Sequence, residues 1–250
     1  MNLLVDIGNT RLKWMWSQGL GHTGQALART ADMSRQLDLA WGDIPPPQWV
    51  VATSVAGAAA ERDMQQWVQR HWPAAHLHFV VAAAAGWGVK NNYREPARLG
   101  SDRWAALIGA RHLTQGPVCV VDCGTTVTID ALNAAGEFVG GVILPGLALA
   151  RQSLRTGAAG ITEIEGDDTQ CFARTTADAV AAGTFHGLVG AVERIVTELG
   201  ASLGKDMQVL LTGGDGPRLA PYLQGRGTYS LLSVPDLVLL GLARIAESLA

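Results

Sequence analysis

One short pattern occurs twice in the chain, at positions nearly half the chain length apart. Residues 3–10 read LLVDIGNT and residues 119–126 read CVVDCGTT, in each case an apolar run followed by Asp, one residue, Gly and a polar pair. Each copy is followed by a segment that can alternate faces as a second strand, at 11–16 and at 127–132. A repeat in matched context indicates internal duplication. The sequence therefore predicts two related halves, 1–115 and 116–250, with a cleft between them.

Segments with helical patterning follow the repeated turns in both halves. Helices are expected at 60–71 and 103–113 in the first half, and at 147–155, 176–199 and 237–249 in the second. Further strands are expected at 138–144 and 207–212. Strands that alternate with helices are typical of an α/β fold, and the boundary between the halves is expected near Gln115-Gly116-Pro117.

Composition restricts the class of protein. The 250 residues are 48% hydrophobic, which is enough for each half to bury a core without disulfides or metal. A net charge of −3 argues against a general nucleic-acid binder, which usually carries a basic domain or stripe. Three cysteines without CxxC spacing argue against a zinc site and fit a reducing compartment. We therefore expect a cytoplasmic protein that does not bind nucleic acid.

No membrane segment is expected either. A membrane-spanning helix needs about 20 largely apolar residues, and the apolar runs at 80–89 and 142–150 fall short of that length. Near the N-terminus, Asp6 interrupts the apolar run too early for a secretory signal peptide. The chain is therefore not expected to interact with a membrane.

The repeated turns carry groups that can bind phosphate. Gly8 and Gly124 allow the backbone to approach a ligand closely, so that backbone N–H groups can form a small concavity for an anion. Neutral hydrogen-bonding side chains accompany them, namely Asn9, Thr10, Thr125 and Thr126. The alternative is a plain hairpin in which Asp, Asn and Gly only satisfy the turn geometry. The presence of two such turns at matched positions favours the binding of nucleotide phosphates over a plain hairpin.

Charged residues of the turns extend this interpretation. Asp6 and Asp122 offer hard oxygen ligands to a cation that accompanies the phosphates. Lys13, on the strand after the first turn, can reach a phosphate oxygen as a point charge. Neither turn is a P-loop, because no GxxxxGK string followed by Ser or Thr occurs, and no GxGxxG follows the first strand. A dinucleotide-binding fold is therefore not expected.

A third glycine-rich cluster, TGGDG at 212–216, follows the apolar run VLL at 209–211. Its glycines could let the flat adenine ring of a nucleotide lie against the backbone. They could equally form a tight turn between a strand and a helix. The sequence does not separate these two interpretations.

The segment 91–104 carries the candidate chemistry. It reads NNYREPARLGSDRW, in which Gly100-Ser101-Asp102 is typical of a helix start. Spacing alone favours a plain capping role for Ser101 or Asp102. The alternative is a site at the positive end of the helix. There Arg103 could hold a carboxylate bidentately, and Asp102 could accept a hydroxyl proton during phosphoryl transfer.

Four segments in order along the chain together resemble the type III pantothenate kinase family, which also includes proteins named Bvg accessory factor. They are DIGNTRLK at 6–13, NNYREPARLGSDR at 91–103, DCGTTVTID at 122–130 and GGVILPGL at 140–147. The resemblance implies a duplicated ribonuclease-H-like fold, as in the acetate kinase, sugar kinase, heat-shock protein and actin superfamily. That fold agrees with the repeat found from the residues alone.

The resemblance also implies an activity. It is the ATP-dependent phosphorylation of pantothenate to 4′-phosphopantothenate, the first step of coenzyme A biosynthesis, with Mg²⁺ accompanying ATP and with K⁺ or NH₄⁺ as a monovalent cation. A homodimer is implied as well. Two other classes stay open, namely a nucleotide-binding accessory protein without efficient turnover and a kinase of another small alcohol. The presence of Asp102, Arg103 and Lys13 argues against a loss of catalysis.

Site residues follow from the matched motifs. Asp102 resembles the family's general base, and Asp122 resembles the ligand of the monovalent cation. The ATP contacts implied are Asp6, Ile7, Gly8, Asn9, Thr10, Arg11, Leu12, Lys13 and Thr125. The substrate contacts implied are Tyr93, Gly100, Ser101, Asp102, Arg103 and Thr176, the last supplied across a dimer interface.

The chain departs from the family pattern at three positions. Cys123 stands where a small or aromatic residue is common, Thr175 stands where Asn usually precedes the substrate threonine, and Ser101 replaces a residue that is commonly apolar. None of these departures removes a catalytic group.

Overall fold

The computed structural model of the protein describes residues 1–17, 25–29, 32–204, 206–225 and 229–249. The strands in this part of the chain are β1 (Asn2–Ile7), β2 (Arg11–Trp16), β3 (Gln25–Ala28), β4 (Trp49–Ser54), β5 (His76–Phe79), β6 (Ala85–Gly86), β7 (Val89–Asn91), β8 (Val118–Cys123), β9 (Thr126–Leu132), β10 (Glu137–Pro145), β11 (Gln208–Thr212) and β12 (Ser230–Ser233). The α-helices are α1 (Met33–Trp41), α2 (Ala58–His71), α3 (Ser101–Leu113), α4 (Leu147–Gly157), α5 (Thr176–Leu203), α6 (Gly216–Leu223) and α7 (Leu237–Glu247). A short 3-10 helix covers Pro96–Arg98.

The chain forms two compact units. The first unit comprises Met1–Gln115, Gly136–Phe138 and Asp236–Ala250, and the second comprises Gly116–Ala135 and Val139–Pro235. The first break therefore falls at Gln115 and Gly116, where the sequence places the boundary between the halves.

The first unit is built on a five-stranded sheet of order β3-β2-β1-β4-β5. β1 lies in the middle, antiparallel to β2 and parallel to β4. Both faces of β1 and β4 are covered, which explains why their sequences are nearly continuous apolar runs. One face of the sheet carries a core built with α1 and α2, in which Trp41 and Trp67 are almost fully buried.

The other face of β1 and β4 is covered by α7, and α3 packs against both β4 and α7. α3 and α7 lie unusually close, because glycines stand where they cross. A Cβ atom added at Gly241 would overlap the carbonyl oxygen of Ala105, and one added at Gly109 would lie 2.6 Å from the carbonyl oxygen of Leu237. The two backbones therefore pack directly against each other.

The second unit repeats the topology of the first. Its strands follow the order β12-β11-β8-β9-β10. β8 lies between an antiparallel neighbour, β9, and a parallel neighbour, β11, as β1 does in the first sheet. The core of this unit combines β8, β9 and β11 with α5 and α6. The predicted α/β class and the predicted duplication are confirmed at this level.

Most of the expected elements are present, with bounds shifted by a few residues. The expected helices at 60–71, 103–113, 147–155, 176–199 and 237–249 correspond to α2, α3, α4, α5 and α7. Elements that the sequence analysis did not identify are α1, the short 3-10 helix, β3, β4, β5, β6, β7, α6 and β12.

The end of the chain differs from the predicted division. We expected 116–250 to form the second half, but the segment from Asp236 onward is part of the first unit. The reason is the apolar surface of α7, whose Leu237, Leu239 and Leu242 are almost completely buried, and which packs on α3, β1 and β4. Periodicity identified this helix but did not indicate which sheet it covers.

One helix is longer and more apolar than the sequence analysis expected of any segment. Among the described residues, α5 is long and apolar enough to cross a membrane by length and composition. Of its most apolar 18 residues, 44% are buried, and Phe185, Val192 and Val196 belong to the core of the second unit. A core helix passes the same test, so this property alone is weak evidence for a membrane span.

The close crossing of α3 and α7 predicts the effect of one methyl group. Gly241→Ala should lower the free energy of unfolding by about 2–3 kcal/mol, because the added Cβ overlaps the carbonyl oxygen of Ala105 and overpacking forces the helices apart. The control is Gly200→Ala, where the added Cβ would make only an ordinary 3.5 Å contact with Met207. This control should be neutral or stabilising by up to about 1 kcal/mol. Denaturant unfolding of both variants measures the difference, and equal stabilities would contradict the packing argument.

Candidate active site

Asp6 lies at the end of the central strand of the first sheet. Its partner across the antiparallel pair is Lys13, and its partner across the parallel pair is Thr53. The Thr53 hydroxyl donates a hydrogen bond of 3.0 Å to Oδ1 of Asp6. Asp6 is only 8% exposed, so this carboxyl group is held in place by its neighbours on both sides.

The burial of Asp6 controls its protonation. Desolvation raises its pKa from the ordinary 3.8 to about 6. The positive charge of Lys13 and the hydrogen bond from Thr53 lower the pKa, while the negative charge of Asp102 raises it. The structure thus brings three of the predicted site residues, Asp6, Lys13 and Asp102, within electrostatic range of one another.

The turn after Asp6 is closed by its own backbone. The amide of Gly8 donates a hydrogen bond of 2.9 Å to the carbonyl oxygen of Arg11. The carbonyl oxygens of Asn9 and Thr10 accept hydrogen bonds from the side chain and the amide of Arg29, at 3.2 and 2.7 Å. The carbonyl side of this turn is therefore occupied.

The predicted ATP contacts of this turn divide into two groups. Asn9, Thr10 and Arg11 are exposed, so their side chains are accessible to a ligand. Ile7 and Leu12 are 0% and 1% exposed and belong to the core of the first unit. Only main-chain groups of these two residues could contact ATP.

The start of α3 is attached to the end of β4. The amide of Ser54 donates to the Ser101 hydroxyl at 3.1 Å, and that hydroxyl donates to the carbonyl oxygen of Ser54 at 3.2 Å. The amide of Val55 in turn donates to the carbonyl oxygen of Ile7 at 3.1 Å. This chain of bonds holds the N-terminus of α3 near the end of β1, and it uses the Ser101 hydroxyl for a structural purpose.

Asp102 belongs to the first turn of α3, and Gly100 is the N-cap residue. Oδ1 of Asp102 accepts a hydrogen bond of 2.7 Å from the amide of Arg103. The Gly100 N-cap makes no side-chain capping bond, so the carboxylate of Asp102 lies among the N–H groups of the helix start. A helix N-terminus favours the ionised form of such a group. The capping and catalytic interpretations of Asp102 are therefore compatible.

Arg103 and Tyr93 come together beside an aromatic ring. Nη1 of Arg103 donates a hydrogen bond of 3.2 Å to the Tyr93 hydroxyl, and the guanidinium carbon lies 5.8 Å from the ring centroids of both Tyr93 and Phe138. Tyr93 stacks on Phe138 with centroids 5.8 Å apart. Arg103 is 7% exposed. The planar guanidinium is thus fixed by rings and a hydroxyl.

Tyr93 is itself positioned by Asn91. The Asn91 side chain accepts a hydrogen bond from the amide of Tyr93 at 3.0 Å and donates to the carbonyl oxygens of Ala83 and Pro96, both at 3.1 Å. Asn91 is 6% exposed. Its three bonds shape the loop that carries Tyr93.

In the second unit, Asp122 occupies the position that Asp6 has in the first. It lies near the end of the central strand β8, opposite Thr128 on β9 and Thr212 on β11. The next residue, Cys123, is fully buried. Burial first, and then the negative charges of Asp122 and Asp215, raise the pKa of this thiol to about 12. Cys123 is therefore a neutral packing residue and not a nucleophile.

The second turn is supported by the start of α4. The amide of Gly124 donates to the carbonyl oxygen of Thr126 at 3.1 Å, and the amide of Gly146 donates to the carbonyl oxygen of Thr125 at 3.0 Å. Thr125 is half-buried and Thr126 exposed. The segment 140–147 therefore acts structurally, by fixing the backbone of the turn that carries Thr125.

The glycine cluster at 212–216 also supports this turn. Gly213 has a φ of 87°, and a Cβ added there would lie 2.4 Å from the carbonyl oxygen of Cys123 and 2.5 Å from Oδ1 of Asp122. The amide of Asp215 donates to the same Cys123 oxygen at 3.0 Å. These contacts support the tight-turn interpretation, because only glycine permits this approach.

Thr176 is the first residue of α5, and Thr175 caps the helix by accepting a hydrogen bond of 3.1 Å from the amide of Asp178. The departure at Thr175 therefore preserves a good N-cap residue. Thr176 lines a largely apolar cavity of about 350 Å³ together with Leu154, Ile161, Ala179, Val180, Gly183 and Thr184.

The donor set for cations is small. In the described part of the chain, no group of three or more His, Cys, Asp or Glu side chains could hold a metal ion. Asp6 and Asp122 each supply carboxylate oxygens, which suit Mg²⁺ or K⁺ when phosphate oxygens and water complete the shell. The high pKa of Asp6 fits a cation that would keep this carboxylate ionised.

A cavity of about 500 Å³ opens at the other end of α3. Its lining comprises Trp87, Gly88, Ile108, Arg111, His112, Gln115, Arg244, Glu247 and Ser248. Ten residues of helix span about 15 Å, so this cavity does not coincide with the start of α3. None of the predicted site residues lines it.

Thr53, Ser54 and Asn91 contribute to the site geometry but were not predicted as site residues. The signal for the first two was present in the sequence, since VVATS at 50–54 ends an apolar run much as LLVDI at 3–7 does. A parallel neighbour of β1 would place a polar residue of this run beside Asp6. Asn91 gave no comparable signal, because its three bonds depend on the loop conformation.

The raised pKa of Asp6 predicts a pH-dependent stability. Between about pH 4 and pH 6 the folded state binds more protons than the unfolded state, so the free energy of unfolding falls as the pH rises through this window. Asn cannot ionise, so the stability of Asp6→Asn does not show this fall. Its free energy of unfolding, relative to that of the unsubstituted protein, should therefore rise by about 2–3 kcal/mol between pH 4 and pH 7. Denaturant unfolding without ligands at both pH values measures it. A constant difference would contradict the assigned burial.

Solved structures share this fold. A conserved Baf family protein from Campylobacter jejuni superposes with a TM-score of 0.62 at 20% identity, covering 98% of both chains. A polyphosphate/ATP-glucomannokinase from Arthrobacter sp. gives 0.53 at 15% identity and covers 99% of this chain and 98% of the other. An archaeal actin homologue gives 0.50 at 11% identity and covers 99% of both. These likenesses confirm the duplicated, actin-like fold and nothing more specific.

Sequence comparison identifies the family. A protein of Nitrosococcus oceani is 36% identical over 99% of this chain and 94% of its own length, and one of Azoarcus sp. is 41% identical over 99% and 91%. Both are named type III pantothenate kinase. The family model of that name matches residues 2–198. With a family match over most of its length and relatives that align from end to end, the chain belongs to the type III pantothenate kinase family.

Proposed function

We propose that the protein transfers the γ-phosphoryl group of ATP to the primary alcohol of pantothenate, which yields 4′-phosphopantothenate and ADP. Family membership supports the reaction. The observation that carries the proposal for this chain is the arrangement of Asp102 at the start of α3 within electrostatic range of Asp6, which is itself paired with Lys13. A base, a cation-binding carboxylate and a phosphate-binding ammonium group are the parts that phosphoryl transfer needs.

The two repeated turns are the proposed phosphate-binding elements. In the first, backbone amides and the exposed side chains of Asn9, Thr10 and Arg11 face the ligand, and Lys13 supplies a positive charge. In the second, the half-buried Thr125 is held by the bond from Gly146 to its carbonyl oxygen. Contacts to Ile7 and Leu12 are limited to the main chain, because both side chains are buried.

Two cations are proposed. Asp6 would hold the Mg²⁺ that accompanies ATP, and this ion would neutralise charge on the phosphates. Asp122 would hold K⁺ or NH₄⁺. Both carboxylates are held in place. Asp6 accepts a hydrogen bond from Thr53, and Asp122 belongs to the turn that packs against Gly213.

Asp102 is the proposed general base. Its carboxylate accepts the proton of the pantothenate hydroxyl as that oxygen forms a bond to the γ-phosphorus and the bond from this phosphorus to the bridging oxygen of ADP breaks. The hydrogen bond from the Arg103 amide fixes one oxygen of Asp102. Most of the rate acceleration comes from positioning and charge neutralisation, because the transition state is loose.

Arg103 and Tyr93 are the proposed contacts for the pantothenate carboxylate. The guanidinium group is planar and offers parallel N–H donors, and the rings of Tyr93 and Phe138 fix its plane. Gly100 and Ser101 contribute through the backbone at the start of α3, since the Ser101 hydroxyl is bonded to Ser54.

Thr176 is proposed to reach the substrate of a second copy, which makes the enzyme a homodimer. Exposed apolar side chains on β10 and α4 are consistent with a surface that another copy covers, namely Val142, Ile143, Leu149 and Leu154. The free cysteines fit the proposed location in the cytoplasm. A sizing column tests the dimer.

A coupled assay of ADP release tests the reaction against its alternatives. The arms are pantothenate, a panel of sugars and no acceptor. Pantothenate-dependent release supports the proposal, sugar-dependent release indicates a kinase of another alcohol, and no release in any arm indicates an accessory protein.

Removal of the proposed base predicts a large loss of turnover. Asp102→Asn keeps the acceptor for the Arg103 amide but cannot take a proton, so kcat should fall by about 10²–10⁴-fold while the protein folds normally. Asp43→Asn, at an exposed position, is the control and should leave kcat unchanged. Steady-state kinetics and circular dichroism measure both effects, and near-normal turnover of Asp102→Asn would exclude it as the base.

Lys13→Ala tests the phosphate role of the ammonium group. We expect the KM for ATP to rise by about tenfold or more, the effect of losing a charge-assisted hydrogen bond, with a smaller change in the KM for pantothenate. Arg70→Ala removes an exposed positive charge on α2 and should change neither value. An unchanged KM for ATP in Lys13→Ala would count against the assignment.

A further inference from the structure

The segment between α4 and α5, residues 158–175, has no helix or strand of its own. A connection of this length without secondary structure is uncommon in a compact domain and usually has a function. The segment leads directly into Thr176, the first residue of α5. What fixes the segment therefore also fixes the position of Thr176.

Arg151 on α4 is the first anchor of this segment. It is 8% exposed and is one of two buried residues on its helix. Its Nη2 lies 2.8 Å from Oδ2 of Asp168 and its Nη1 lies 3.4 Å from Oε2 of Glu165. Its Nε donates to the Thr184 hydroxyl on α5 at 3.3 Å. One buried guanidinium group thus joins α4, the connecting segment and α5.

Asp168 contacts a second cation through the same oxygen, Oδ2. Its side chain is 14% exposed and also contacts the guanidinium group of Arg218 on α6. The guanidinium carbon of Arg218 lies 4.9 Å from the ring centroid of Phe185 on α5. Asp168 therefore contacts two arginines, of which Arg151 is much the more buried. Charge-assisted bonds of this kind are stronger than neutral ones.

The same segment is bonded to the first turn of α5. The amide of Asp167 donates to Oδ1 of Asp178 at 2.8 Å, and the Thr175 hydroxyl donates to Oδ2 of Asp178 at 2.7 Å. Asp167 also accepts two hydrogen bonds from Thr169, which lower its pKa. Thr176 lies within this set of bonds, since Thr175 and Asp178 flank it.

We propose that Arg151 is a positioning residue for Thr176: through Asp168 it anchors the segment that fixes the first turn of α5, and so it sets the affinity for pantothenate without touching ATP or the reacting atoms. The proposal rests on the proposed function, in which Thr176 contacts pantothenate. It extends that function by assigning a role in pantothenate binding to a residue that does not itself contact the substrate.

Steady-state kinetics on the full-length protein test the proposal. Arg151→Met keeps the side-chain length and removes the charge. Its KM for pantothenate should rise by about five- to tenfold, as expected for one lost hydrogen bond, while kcat and the KM for ATP change by less than about twofold. Arg155→Met is the matched control, since Arg155 lies one turn further along α4 and is exposed. It should change none of these values.

A double-substitution cycle shows whether Arg151 acts through Thr176. Thr176→Ala should raise the KM for pantothenate, and Arg151→Met combined with Thr176→Ala should raise it no further. Effects that multiply would overturn the proposal, because Arg151 would then act by another route. An equal loss of affinity for ATP in Arg151→Met would also overturn it, as would an unchanged KM for pantothenate.

Two further measurements keep the outcomes separate. If Arg151→Met does not fold, Asp168→Asn weakens the contact with Arg151, together with that of Arg218, and should also raise the KM for pantothenate; a normal KM there overturns the proposal. If Thr176→Ala leaves the KM for pantothenate unchanged, the assigned role of Thr176 fails and the proposal fails with it. If pantothenate supports no ADP release, the proposed function itself fails.

Discussion

A carboxylate at the end of a central strand is the constraint on which the first unit depends. β1 has a neighbour on each side, and Asp6 near its end is only 8% exposed, so its carboxylate is largely removed from water. Its position is tolerable because Thr53 donates a hydrogen bond and Lys13 supplies a positive charge. The ends of β1 and β4 and the start of α3 are then joined by the bonds of Ser54 and Ser101. The location of Asp102 follows from these attachments.

The same arrangement explains why a site of this kind needs few charges. Burial disfavours the ionised form of Asp6, and the negative charge of Asp102 raises the pKa of Asp6 further. A cation relieves both repulsion and desolvation at once. Proteins commonly accept a loss of stability at positions that serve binding. The proposed binding of a highly charged nucleotide by the neutral groups of the two turns is therefore compatible with a net charge of −3.

The sequence predicted what depends on local pattern and internal comparison. The repeat around Asp6 and Asp122 revealed the duplication, and both residues lie near the end of a strand that has one antiparallel and one parallel neighbour. Helical periodicity located α2, α3, α4, α5 and α7. Lys13 was expected on the strand that follows the first turn, and the structure places it there, opposite Asp6.

Other features depend on contacts between distant segments, which a single sequence does not encode in any local pattern. The partner of Asp6 on β4, Thr53, is set by the register of a parallel pair. The role of Gly213 is set by its approach to Cys123 and Asp122, some ninety residues earlier. The bonds of the Ser101 hydroxyl to the backbone of Ser54 join residues 47 positions apart, and no local pattern in the sequence indicated them. The sheet that α7 covers was likewise invisible to periodicity.

The placement of α7 has a consequence for how the chain is made. During synthesis the N-terminal residues leave the ribosome first, and domains generally fold as they emerge. The second unit ends at Pro235, so all of its residues are present before α7 is complete. The first unit, although most of its sequence precedes the second, lacks the helix that covers β1 and packs on α3 until α7 follows the second unit. The unit that is translated first is therefore the one that is finished last.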